Sequence, residues 1–167
     1  MVVRTELFET QTNFTYALPP RLGTPPRTAR VLPHLQLDQL APPEIAEELI
    51  ERSLALPYVR STQSRMAAPK SRALCLPDDF ASGPPDAFID SHEFCHLHPL
   101  PESSIHLTLP QDLRELAVQL GWAEPHLVSR LGSMPPTLVL VYAPRNMEEL
   151  STVFRLVRCS YQFARGV

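Results

Sequence analysis

The chain has 167 residues, 44% of them apolar and 20% charged, ordinary proportions for a water-soluble domain with its own core. With 15 basic against 18 acidic residues the formal net charge is −3, which leaves no cationic excess to hold phosphates and sets nucleic acid aside as the main partner. No apolar run approaches the roughly 18–20 residues of a membrane span and no charged-then-apolar signal segment is expected, while Cys75, Cys95 and Cys159 show no C-x-x-C spacing, so a reducing, cytoplasmic setting with no membrane partner is expected.

Residues 1–43 carry Pro19, Pro20, Pro25, Pro26, Pro33, Pro42 and Pro43 without any sustained period. Proline lacks an amide donor and pushes its predecessor toward extended geometry, so an extended arm is predicted, with a short strand near Thr12–Ala17. Its apolar residues, Phe8, Phe14, Tyr16 and Leu18, would wrap the domain or pack on a second subunit in a homodimer. The folded domain is expected over residues 44–167. Pro42-Pro43-Glu44 suits a helix start, and Ile45, Leu49, Ile50 and Leu54 form a stripe that ends at Pro57. Tyr58–Arg65 and Ser71–Leu76 read as two strands around the turn at 67–70, followed by a proline-rich loop over 77–86. A second strand pair, His92–His98 and Ser104–Leu109, flanks the five-residue turn 99–103. A helix then starts at Pro110 and ends at Gly121, with Leu113, Leu116, Ala117 and Leu120 on one face. Thr137–Ala143 reads as a buried strand. Asn146, with Glu149 as in a capping box, opens a last helix carrying Leu150, Val153, Phe154, Val157 and Tyr161. The sum is an α+β single domain, a small, mostly antiparallel sheet with a histidine-bearing hairpin, packed by about three helices.

The density of histidine is the main chemical signal. Six histidines in 167 residues would put roughly 0.5 in a window of fifteen, yet His92–His106 holds His92, His96, His98 and His106. In a regular strand His92, Phe94, His96 and His98 share one face, about 6.6–6.8 Å apart, while Glu93 and Cys95 point to the other. A bulge would change that parity. His106 joins the group if the hairpin register allows. Three histidines with an open position suit iron, copper or zinc, with His96, His98 and His106 as ligands. One or two would suffice for an acid–base pocket. Otherwise the rings are simply hydrogen-bonded hairpin residues. No glycine-rich phosphate loop, G-x-S-x-G elbow or dinucleotide fingerprint is present, so no organic cofactor is expected.

The segments Glu93-Phe94-Cys95-His96-Leu97-His98-Pro99, Ser104-Ile105-His106-Leu107, Gly121-Trp122-Ala123-Glu124-Pro125-His126 and Tyr142-Ala143-Pro144-Arg145 resemble, in order, the luciferase-domain family of bioluminescent fungi and its non-luminous relatives. The resemblance spans about 65–161. It implies oxidation of a hydroxylated styryl-pyrone with molecular oxygen, no organic cofactor and release of carbon dioxide. The matching polar residues are Glu93, His96, His98, His106, Trp122, Glu124, His126 and Arg145. A membrane anchor of the fungal type is not expected, the proline-rich arm standing in its place. The expected catalytic group is therefore His96, His98, His106, Glu93 and Arg145, with Arg145 balancing a substrate anion. His92, Phe94, Trp122, Glu124, His126 and Tyr142 would contact a flat phenolic or pyrone-like substrate. The expected reaction is oxygen-dependent oxidation of such a metabolite. A non-oxidative isomerase, cyclase or decarboxylase at the same histidines, or a non-catalytic module that binds an aromatic ligand, are the alternatives.

Overall fold

The computed structural model describes residues 17–167, so the strand expected at Thr12–Ala17 lies, but for its last residue, outside them. Helix α1 (Pro43–Leu54) starts at the paired prolines and buries Ile45, Ala46, Leu49 and Ser53. Pro43 needs no amide partner in the first turn, and Glu44 sits at the positive end of the helix. Strands β1 (Arg60–Gln63), β2 (Arg72–Cys75), β3 (Glu93–Leu97) and β4 (Ile105–Thr108) follow, then helix α2 (Gln111–Gln119), strands β5 (Ala123–Pro125) and β6 (Leu138–Val141), and helix α3 (Met147–Arg165). The proline-rich stretch between β2 and β3 folds into two single 3-10 turns, Asp78–Phe80 and Pro85–Ala87.

The six strands form one sheet in the order β1-β2-β3-β4-β6-β5, and every neighbouring pair is antiparallel. The fold is α+β, as its sequence pattern indicates. Strand β5 was not foreseen, because three residues ending in proline are too short to show a period of two. Alternation sorts the side chains by face. Leu74, Cys95, Leu97, Ile105, Leu107, Val139 and Val141 share one core with Ile45 and Leu49 of α1 and with Leu150, Val153, Leu156 and Val157 of α3. Gly121, at φ 80°, takes the left-handed position that closes α2.

Asn146 caps α3 by accepting the Glu149 N–H at 2.9 Å. The return half of the capping box does not form. The Glu149 carboxylate accepts the Arg145 N–H at 2.9 Å and the guanidinium Nε–H at 2.9 Å instead, a charge-assisted pairing stronger than a bond to the neutral Asn146 amide.

The opposite face of the sheet is polar and is covered by residues 17–42. His96 lies directly across from His106, His106 from Leu140, and Leu140 from Glu124. The covering segment is pinned at several points. Trp122 Nε1 donates to Pro19 O at 2.6 Å, Gln36 N donates to Glu102 Oε1 at 2.6 Å, and Gln36 Oε1 accepts from Ala143 N at 2.9 Å. Among the described residues no helix is long and apolar enough to cross a membrane.

Candidate active site

A bulge decides which residues of β3 reach the polar face. Leu74 pairs with Cys95 while Cys75 pairs with Glu93, so Phe94 is the extra residue. The pattern of strict alternation is thereby corrected. Phe94 and Cys95 both enter the helix-side core, and Glu93 turns to the same side as His96. His92 precedes the bulge and leaves the cluster, its Nδ1 lying 3.2 Å from Asp78 Oδ1 at the edge of a separate cavity.

Five of the six histidines nevertheless converge. The ring of His106 lies 4.7 Å from that of His96, 4.4 Å from His98, 4.3 Å from His126 and 5.8 Å from His34, centroid to centroid. The hydrogen bonds fix most of their protons. His106 Nε2 faces the carbonyl oxygen of His34 at 2.9 Å, and a carbonyl only accepts, so Nε2 carries the proton. The Nδ1 of a neutral His106 then accepts from His96 Nε2–H at 2.8 Å. His96 Nδ1 lies 2.6 Å from Glu93 Oε1, and these two share one proton. Ser64 Oγ donates to the same carboxylate at 2.9 Å. His98 Nδ1–H donates to Glu102 Oε2 at 2.7 Å, which leaves its Nε2 as a lone pair. His34 Nε2–H donates to Glu124 Oε1 at 2.7 Å. Its Nδ1 is buried with no hydrogen-bond partner. A buried, unpaired polar atom costs about 1–3 kcal/mol.

Two adjoining cavities open on this group. One, of about 220 Å3, is lined by His96, His106 and His126 with Ile89, Val128, Met134 and Leu138. The other, of about 540 Å3, is lined by His34, His98, His106 and His126 with Pro33 and Ala67. Leu32 and Met66, both more than half exposed, stand at both. An apolar lip around convergent nitrogens is the usual form of a small-molecule site.

Burial, reinforced by the imidazoles around it, holds His106 well below the ordinary histidine range. The same causes, burial first and His34 next, bring His126 down to about 3. Burial alone would raise Glu124, but the hydrogen bonds from His34, Thr28 and Tyr142 outweigh it and keep the carboxylate below its ordinary value. Glu102 is lowered likewise, by His98 and Ser104 against its burial. These shifts predict acid sensitivity. In the unfolded chain His106 and His126 take up protons near their ordinary 6.5, whereas in the folded chain they do so only at lower pH. The unfolded state therefore binds more protons below pH 6.5, and stability falls there by up to about 1.4 kcal/mol per pH unit for each such histidine. A second loss follows as pH drops below 4.5, where Glu102 and Glu124 take up protons. Urea unfolding at a series of pH values measures both. A flat profile between pH 7 and 5 would contradict the buried, neutral assignment.

The structure brings Glu93, His96, His98, His106, Glu124, His126 and Tyr142 together, the Tyr142 hydroxyl donating to Glu124 Oε2 at 3.0 Å. It does not bring Arg145 or Trp122 to them. Arg145 is paired with Glu149, and both Arg145 and Trp122 line a different cavity beside Pro19 and Pro20. His34, Thr28, Glu102, Ser104 and Ser64 were missed as site residues. The Glu102–Ser104 turn was legible as a turn only, and His34 sits in an aperiodic arm.

Residues 91–160 match the sequence model of the Luciferase domain family, a span that includes four of the five converging histidines. Over that span the chain is similar to the luciferase-domain family. A protein of Armillaria gallica named luciferase is 29% identical to it, over 86% of this chain and 59% of the relative. The chain thus spans well under two thirds of that relative's length. No solved structure matches. The fifth imidazole, His34, lies outside the matched span and is delivered by the covering segment.

Proposed function

We propose that the histidine face is the active site of a cytoplasmic enzyme that oxidises a small phenolic or pyrone-like metabolite with molecular oxygen. The observation that carries this reading is the convergence of five imidazoles on two adjoining cavities, His34 among them with an unpaired Nδ1. An enol or phenol must lose its O–H proton before it can pass electron density to oxygen. His34 Nδ1 takes that proton, and Glu124, already bonded to Nε2–H, stabilises the imidazolium that results. Tyr142 and Thr28 hold the carboxylate in place. His96, His98 and His106 form the reactive centre, with nitrogen donors of the kind that suit iron, copper or zinc. Both atoms of oxygen enter the substrate, S + O2 → SO2, and in the decarboxylating form carbon dioxide leaves from the substrate's own carboxyl or lactone carbon. No further reductant enters that balance. The name of the Armillaria relative supports an oxidation of this kind.

An oxygen electrode with a panel of catechols, styryl phenols and 4-hydroxy-2-pyrones tests the proposal. Uptake of one oxygen molecule per product, with both labelled atoms recovered from heavy dioxygen in the products, is expected. Equal turnover without oxygen would replace it by an isomerase, cyclase or decarboxylase. Tight binding with no product would make the domain a binding module.

A further inference from the structure

We propose that a divalent first-row transition-metal ion binds between His96 Nε2, His98 Nε2 and His106 Nδ1. The three rings offer ligand atoms within 4.8 Å of one another. They come from adjacent strands, His96 and His106 directly opposite in register and His98 one residue past the end of β3. What singles them out is the other nitrogen of each ring. His96 Nδ1 meets Glu93 at 2.6 Å, His98 Nδ1 meets Glu102 at 2.7 Å, and His106 Nε2 meets the His34 carbonyl at 2.9 Å. Metal-binding histidines are held in this way, with the remote N–H donated to a carboxylate or carbonyl that fixes the tautomer and raises the basicity of the ligating nitrogen. Here all three have such a partner.

In the absence of an ion, the inner nitrogens of His96 and His106 meet at 2.8 Å and must share a proton. An ion takes the place of that proton, and every outer hydrogen bond stays intact. A second set of residues, His34, His106 and His126, is also close enough to hold an ion, but it fits less well. His126 Nδ1 accepts the Val128 N–H at 3.2 Å, so its neutral ring carries the proton on Nε2 and has no lone pair left to give. Three neutral imidazoles select iron, cobalt, copper or zinc over magnesium or calcium, which take oxygen ligands. They also leave a coordination position for water, oxygen or substrate. The part this ion plays in the reaction rests on the oxidation proposed above; the site itself rests on the hydrogen bonds.

Full-length protein without a histidine tag, stripped by chelator, is titrated with Co2+ and followed by visible d–d absorption and calorimetry. One ion per chain is expected, lost in His98→Ala and His106→Ala. Glu102→Gln, which keeps the ligand set, is expected to weaken binding about 10- to 100-fold, and it decides the matter if the alanine variants do not fold. No Co2+ absorption, or binding unchanged in Glu102→Gln, overturns the site. Oxygen uptake at the full rate by stripped protein would overturn the ion's part in the reaction while leaving the oxidation standing. A bound ion with no oxygen uptake on any substrate would overturn the oxidation and leave the site standing.

Discussion

Replacing His34 by alanine is expected to lower kcat for the oxidised substrate by about 10^2- to 10^4-fold, the usual contribution of a positioned general base. The variant removes the Nε2–H bond to Glu124 along with the unpaired Nδ1, so urea unfolding of the variant accompanies the kinetics. The substitution leaves untouched the His34 backbone carbonyl that His106 uses. Co2+ binding should therefore persist, which separates loss of the base from collapse of the centre. Steady-state kinetics with the best substrate of the oxygen-uptake panel measures the change. A kcat within threefold of the parent would remove His34 from the reaction and return the proton to one of the sheet histidines.

The second large effect is on stability. Phe94→Ala is expected to cost about 3–5 kcal/mol, the range for a large aromatic deleted from a packed interior. Phe94 is wholly buried, its ring lies 6.1 Å from that of Tyr161, and its carbonyl accepts from Ser160 Oγ at 3.2 Å. The neighbouring His92→Ala should change stability by less than about 0.5 kcal/mol, since that ring sits at the surface. Urea unfolding of the two variants compares them directly. A mild Phe94→Ala that alters substrate binding would mean that the bulge is absent and that Phe94 faces the site.

That pair of residues marks the limit of what the sequence displays. The hairpin and its turn were legible, while the place of His106 was left to the register, which sets it directly opposite His96. The bulge was not. One extra residue in β3 leaves hydrophobic and polar residues in an unchanged order, yet it moves Phe94 into the core and Glu93 onto His96 Nδ1. His34 was invisible for a different reason. An arm punctuated by prolines has no period from which a face can be read, and its contact with Glu124 spans ninety positions of chain. The helices were the easiest part, since Pro43, Gly121 and Asn146 mark their ends by local chemistry. Arg145 shows the opposite failing. Its position after a buried strand suggested an anion partner, but Glu149, four residues on at the start of α3, claims the guanidinium first.

The active site depends on five imidazoles packed as one cluster, each held by its own hydrogen bonds with an assigned proton. Long-range nitrogen–carbon correlation spectra of protein labelled with 15N histidine read those protons directly. The expected pattern is Nδ1–H for His98 and Nε2–H for His34, His106 and His126, with His106 and His126 still neutral when the sample is brought below pH 6.5. Rings that average between tautomers, with His106 or His126 titrating at the ordinary value, would contradict the assembly and with it the active site built upon it.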